Sequence, residues 1–117
     1  MKIKGYTLHG DYYLADKVIT DTNWEEAVKM KEKIVLPNGK TVIAHTLSKE
    51  ELKTIQENER GTNDCWYWTS TPYVDHCAWG VYGSGGFYGN SITYSGGYGG
   101  ARLGFHKNEI KQLLAVE

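Results

Sequence analysis

The chain has 117 residues and a formal net charge of −1, with 13 Lys and Arg against 14 Asp and Glu. That length fits one domain around one core, and the mixed charge provides no field to gather nucleic acid or acidic lipid, so neither is expected as a partner. No run approaches the roughly 18 apolar residues of a membrane span, so no membrane insertion is expected.

The composition divides the chain. Residues 1–61 are charged and helix-friendly, whereas 63–105 are aromatic, Gly-rich and almost free of Lys and Glu. At the start, Ile3 to Leu8 and Asp11 to Lys17 read as two strands turned at His9-Gly10. Thr22-Asn23-Trp24-Glu25 has the form of a capping box with Thr22 as cap, which predicts a helix from about Asn23 to Glu32. Trp24, Ala27 and Val28 share its face, with Ile34 further along. Ile34-Val35-Leu36 and Thr41-Val42-Ile43-Ala44 flank Pro37-Asn38-Gly39-Lys40, a strong turn signal.

A second capping box, Ser48-Lys49-Glu50-Glu51, carries a hydrophobic staple of Leu47 and Leu52. It predicts a helix with Leu52 and Ile55 inward, ended by Gly61. The second half is strand and loop: Trp66 to Ser70, Ala78 to Tyr82 and Ala101 to Phe105 read as strands. Between the last two lies Gly83 to Gly100, built almost wholly of Gly, Ser, Tyr and Asn. It is expected to be ordered, because strands bracket it and its own aromatics can pack. The tail puts Ile110, Leu113 and Leu114 at helical spacing, which predicts a closing helix from Asn108 to Leu114.

Five segments occur in a telling order: Thr22-Asn23-Trp24-Glu25-Glu26-Ala27, Leu47-Ser48-Lys49-Glu50-Glu51-Leu52, Tyr67-Trp68-Thr69-Ser70-Thr71, Ala78-Trp79 and Ala101-Arg102-Leu103. The series, over roughly residues 12–105, resembles the C-terminal adhesion domain of bacterial collagen-like proteins and the major paralogous domain of fibrolytic bacteria. Both have the C-type-lectin-like fold. Two departures stand out: Ile43-Ala44-His45-Thr46-Leu47 replaces the usual Trp-Arg-Leu-Pro-like stretch, and Met30 sits near the usual Cys of the first helix. The resemblance implies an α+β domain over residues 1–117. Two short helices should pack on a small, mostly antiparallel twisted sheet with long Gly/Tyr-rich loops and with Trp66, Trp68 and Trp79 in the core.

The chemistry-bearing residues do not assemble a catalytic set on paper. The fold is related to the formylglycine-generating enzymes, but their cysteine motif is missing, so Cys65 and Cys77 are expected as small buried thiols. Whether they pair is left open. Asp75-His76-Cys77 with Cys65 falls short of the paired ligands of a zinc site. Asn63-Asp64 lacks the partner loop of a calcium site, since Leu36-Pro37-Asn38 has no carboxylate where one is needed. His9, His45 and His106 are scattered. Gly83-Ser84-Gly85-Gly86 leads into Phe87-Tyr88 and not into a helix, which is no dinucleotide fingerprint. No enzyme activity, metal or cofactor is expected.

What remains is a segment with the composition of antibody binding loops, in which Tyr supplies large rigid contacts and Gly, Ser and Asn adaptable ones. Retroelement-diversified proteins of the C-type-lectin-like fold vary this region toward the same residue types. The expected ligand contacts are Tyr82, Ser84, Phe87, Tyr88, Asn90, Tyr94 and Tyr98. The expected function is a non-enzymatic module binding a protein or glycan, such as a phage or bacterial adhesion or receptor-binding domain. The alternative is a small phage-encoded intracellular protein that binds and inhibits a host enzyme or defence factor. The start, Met1-Lys2-Ile3-Lys4-Gly5-Tyr6, lacks the apolar run of a secretory signal, so the expected location is the cytoplasm, including that of a host, or a virion.

Overall fold

A computed structural model describes residues 2–94 and 99–115, with side chains as far as 111. Strands β1 (Tyr6–His9) and β2 (Tyr12–Ala15) form the expected hairpin, in which Gly10 has φ +61°. A two-residue strand, β3 (Ile19–Thr20), leads into α1 (Trp24–Lys29). The capping box exists, but one residue later than expected. Asn23 accepts from the Glu26 N–H at 3.0 Å, and Glu26 accepts from the Asn23 N–H at 3.1 Å. Thr22 is instead buried, its hydroxyl donating to the Ile19 and Thr20 carbonyls at 3.0 Å.

The first helix also ends sooner than its pattern suggests. Residues 31–35 form strand β4 (Lys31–Val35), paired antiparallel with β5 (Thr41–Thr46) across the Pro37-Asn38-Gly39 turn, where Gly39 has φ +85°. Pairing overrides helix propensity there, because β5 offers a full ladder and Ile34 packs against the core while the lysines face water.

The second capping box is as read: Ser48 caps α2 (Lys49–Leu52), and Glu51 returns the bond to the Ser48 N–H at 2.9 Å. This helix lasts one turn. The chain extends at Gln56 (ψ 142°) and restarts as α3 (Glu57–Arg60), so the single expected helix is two. Gly61 follows with φ −80° and is not a left-handed cap; a Cβ there would meet the Gly83 carbonyl oxygen, so a close crossing requires the glycine.

Strands β6 (Trp66–Pro72), β7 (Cys77–Val81), β8 (Phe87–Ser91), β9 (Gly99–Ala101) and β10 (Leu103–His106) follow, then α4 (Lys107–Ala115). Ile110 of α4 is buried; Leu113 and Leu114 lie beyond the described side chains. The expected single sheet is two. One runs β1-β2-β10-β5-β4 and the other β3-β9-β6-β7-β8, and every pairing is antiparallel except β6 with β9. The first draws four of its five strands from the charged half of the chain. The domain is thus α+β, with two mostly antiparallel sheets and few short helices.

Three apolar clusters fill it. One surrounds Tyr13 and Phe105, whose rings stack at 5.1 Å; a second joins Leu14, Leu47, Leu52, Ile55, Tyr67 and Val81; the third places Trp68 on Ala27, Ala78 and Ala101. Two buried arginines stitch the loops, each donating to main-chain carbonyls: Arg60 to Gly85, Leu52 and Ile55, and Arg102 to Ala15 and Arg60. Among the described residues no helix is long and apolar enough to cross a membrane.

Candidate functional site

The Gly/Tyr segment begins as a tight hairpin. Tyr82 N–H donates to the Gly86 carbonyl at 2.7 Å and Gly85 N–H to the Tyr82 carbonyl at 2.8 Å, with Gly85 at φ +102°. This turn is clamped from below. Arg60 Nε donates to the Gly85 carbonyl at 2.6 Å and Asn63 N–H to the Gly83 carbonyl at 2.7 Å. A stretch that composition would permit to be mobile is therefore seated on α3, and strand β8 leaves it in a fixed register with β7.

Alternation along β8 then sorts the expected contact residues between two faces. Tyr88 lies over Gly80, where a Cβ would come within 3.1 Å of its ring. It stacks on Tyr82 with centroids 4.1 Å apart and planes 18° from parallel. Trp66 meets Tyr88 edge-on at 6.4 Å and Tyr94 at 5.5 Å. The result is a row of rings, Tyr82, Tyr88, Trp66 and Tyr94, whose ends are 50% and 43% exposed. Asn90 is hydrogen-bonded to Tyr88 and accepts from the Ser91 N–H at 2.8 Å. Burial pushes the Tyr88 hydroxyl up to about 12, against the Asn90 hydrogen bond and with the Tyr82 and Tyr94 hydroxyls adding to the rise.

Two expected contacts fall outside this row. Phe87 points to the opposite face, half-buried against the Leu52 cluster with the Arg60 guanidinium 4.3 Å from its ring. An apolar ring next to two helices packs inward. Ser84 is exposed at the turn tip. Tyr98 lies outside the described residues.

Of the three tryptophans expected in the core, only Trp68 is buried there. Trp66 is half-buried, its edge on Trp68 at 5.2 Å and its ring pressed on Gly99. Trp79 is half-buried on the Phe87 face, with Tyr73 at 4.3 Å and the Lys49 ammonium 3.9 Å from its ring centre. Trp66 and Trp68 share one side of β6, and Trp66, at the start of the strand, is the less covered of the two.

The residues weighed for other chemistry sit apart from this row. Asp75 and His76, at φ +30° and +59°, form the β6–β7 turn, closed by Cys77 N–H donating to the Val74 carbonyl at 3.0 Å. Cys65 and Cys77 are free and half-buried, less enclosed than expected, and burial together with Asp64 raises the Cys65 thiol. Among the described residues no group of three or more His, Cys, Asp or Glu is placed to hold a metal ion. Tyr6 lines two grooves of about 500 and 630 Å³, the first also bounded by Ile19 and Ala101, and its hydroxyl donates to Glu32 at 2.7 Å.

The site thus defines a class by geometry alone: a row of packed, partly exposed aromatic rings beside a hydrogen-bonded hairpin. No protein-family model, curated protein or solved structure matches the chain.

Proposed function

We propose that the chain is a non-enzymatic binding module of the C-type-lectin-like class, recognising a protein or glycan through Tyr82, Tyr88, Asn90 and Tyr94 on their Trp66 support. The observation that carries this reading is the row of packed, partly exposed rings beside a clamped hairpin. Tyr and Trp lose little side-chain freedom on contact and dominate interface hot spots, and here the backbone beneath them is already ordered. The exposed ends of the row suit a macromolecular or sugar surface better than a small molecule, which favours a concave pocket. The capped α1 and α2 and the mostly antiparallel sheets support the class.

The test combines a glycan array with affinity capture from bacterial lysate, repeated with Tyr82→Ala and Tyr94→Ala. Each substitution is expected to weaken the captured complex about thirtyfold, since a hot-spot side chain contributes about 2 kcal/mol. Glu26→Ala and Lys53→Ala, on the helices, are expected to leave it unchanged. The reverse pattern would move the site to the helical side and end this reading. Capture of one intracellular enzyme or defence factor, with no glycan bound, would select an inhibitor over an adhesion module.

A further inference from the structure

We infer that β8 is a dimerisation edge, pairing antiparallel with β8 of a second copy of this chain about a two-fold axis at Gly89. At one end of the β7–β8 ladder Tyr82 bonds Gly86, and at the other Ile92 N–H donates to the His76 carbonyl at 2.9 Å. Between them the register pairs Gly80 with Tyr88 and Ala78 with Asn90. Alternation therefore turns the N–H and C=O groups of Tyr88 and Asn90 toward β7 and those of Phe87, Gly89 and Ser91 outward. β8 ends its sheet, so among the described residues no strand receives them. At Ser91 the N–H holds a local bond to the Asn90 side chain and the carbonyl accepts from Tyr94 N–H at 3.0 Å, so the open backbone groups of the edge are those of Phe87 and Gly89.

The other edges are blunted as edges commonly are. β4 carries Lys31, Glu32 and Lys33, β3 has two residues, and β1 has four, ending in His9. β8 is five residues without a charge. Its sequence is also complementary to itself. The two-fold sets Gly89 opposite Gly89, Phe87 opposite Ser91 and Tyr88 opposite Asn90, so no like charges meet; the Gly89 pair exchanges two backbone bonds, and the flanking Phe87–Ser91 pairs exchange the local Ser91 bonds for bonds across the axis. A symmetric pairing of identical patches is the commonest way a chain closes on itself.

The side chains beside the axis favour a second copy as occupant. Tyr73 lies over Gly89, where a Cβ would come within 2.5 Å of its ring, and paired Gly89 Cα atoms would stand about 5.5 Å apart. The two Tyr73 rings, each 47% exposed in one chain, would meet across the axis, with Val74, 59% exposed, nearby. The Tyr82–Tyr94 row would stay open and be doubled, so this inference stands or falls apart from the binding reading.

Sedimentation velocity and light scattering from micromolar to millimolar concentration test it. The 13.2 kDa chain is expected to move toward twice its mass as concentration rises. Gly89 amide exchange should slow in step. Ser91→Lys, at an exposed position, should weaken the dimer at least about tenfold, while Val35→Lys on β4 should leave it intact. A wild-type chain that stays monomeric throughout, or a dimer that survives Ser91→Lys and is lost with Val35→Lys, overturns the assignment.

Discussion

Trp68 and Trp79 are eleven positions apart in adjacent strands, yet they answer to different forces. Trp68 is fully enclosed, and its indole N–H donates to the Thr22 carbonyl at 2.9 Å, tying β6 to the loop before α1. Trp68→Ala is expected to cost about 3–5 kcal/mol, a large share of a small domain's stability, and to lower the urea midpoint or abolish folding. Trp79→Ala, half-exposed beside Tyr73, should cost clearly less in the same titration. Equal losses would refute the difference in burial. Tyr88 carries a second residue-scale expectation. Its folded pKa lies near 12, above the ordinary value of 10.0, so the folded state holds the proton more tightly than the unfolded state does. Its contribution is intact below pH 10 and is lost as pH rises from about 10 to 12. Tyr6, raised by burial and by Glu32, adds to the same alkaline loss. Ultraviolet titration of the Tyr88→Phe variant should lack one late-ionising phenol and should unfold less steeply with alkali.

At the scale of elements, short helices depend on their ends. With only six residues in α1, the Asn23–Glu26 box satisfies donors that the helix cannot satisfy itself. Asn23→Ala should therefore cost about 1 kcal/mol by chemical denaturation. The β7–β8 turn depends on Gly85 more severely. Its φ of +102° excludes ordinary side chains, and a Cβ would run into the Glu57 carbonyl. Gly85→Ala is expected to detach the turn from α3, seen as loss of amide protection at Gly83–Gly86 in hydrogen exchange. Unchanged protection would mean that the turn accommodates a side chain at position 85.

At the scale of the molecule, chain order and spatial order diverge. β10 sits at the middle of the first sheet, between β2 and β5, although it comes last among the strands. Parallel pairing of β9 with β6 draws the end of the Gly/Tyr segment back beside Trp66. Folding must therefore wait for distant pairings whose loop-closure entropy comes first. A chain truncated after Arg102 should fail to fold as a whole and should not leave an intact N-terminal half; circular dichroism with a thermal melt would show no cooperative transition.

The elements that local chemistry dictates were legible without a structure. The Ser48 box, the Pro37-Asn38-Gly39 turn, the first hairpin, the strands at Trp66, Ala78 and Leu103, and the closing helix each follow from caps, turn residues or periodicity within a few positions. Tyr82, Tyr88, Asn90 and Tyr94 were legible as a group because composition marked them. Tertiary structure decided the rest. It converted residues 31–32 from helix to strand by offering a ladder, split one helix at Gln56, and divided one expected sheet into two. It turned Phe87 inward and left Trp66 and Trp79 only half-buried. The physical reason is common to all of these: a sequence states which side chains avoid water, but which neighbour covers them depends on pairings between residues far apart in the chain, and no local pattern encodes those.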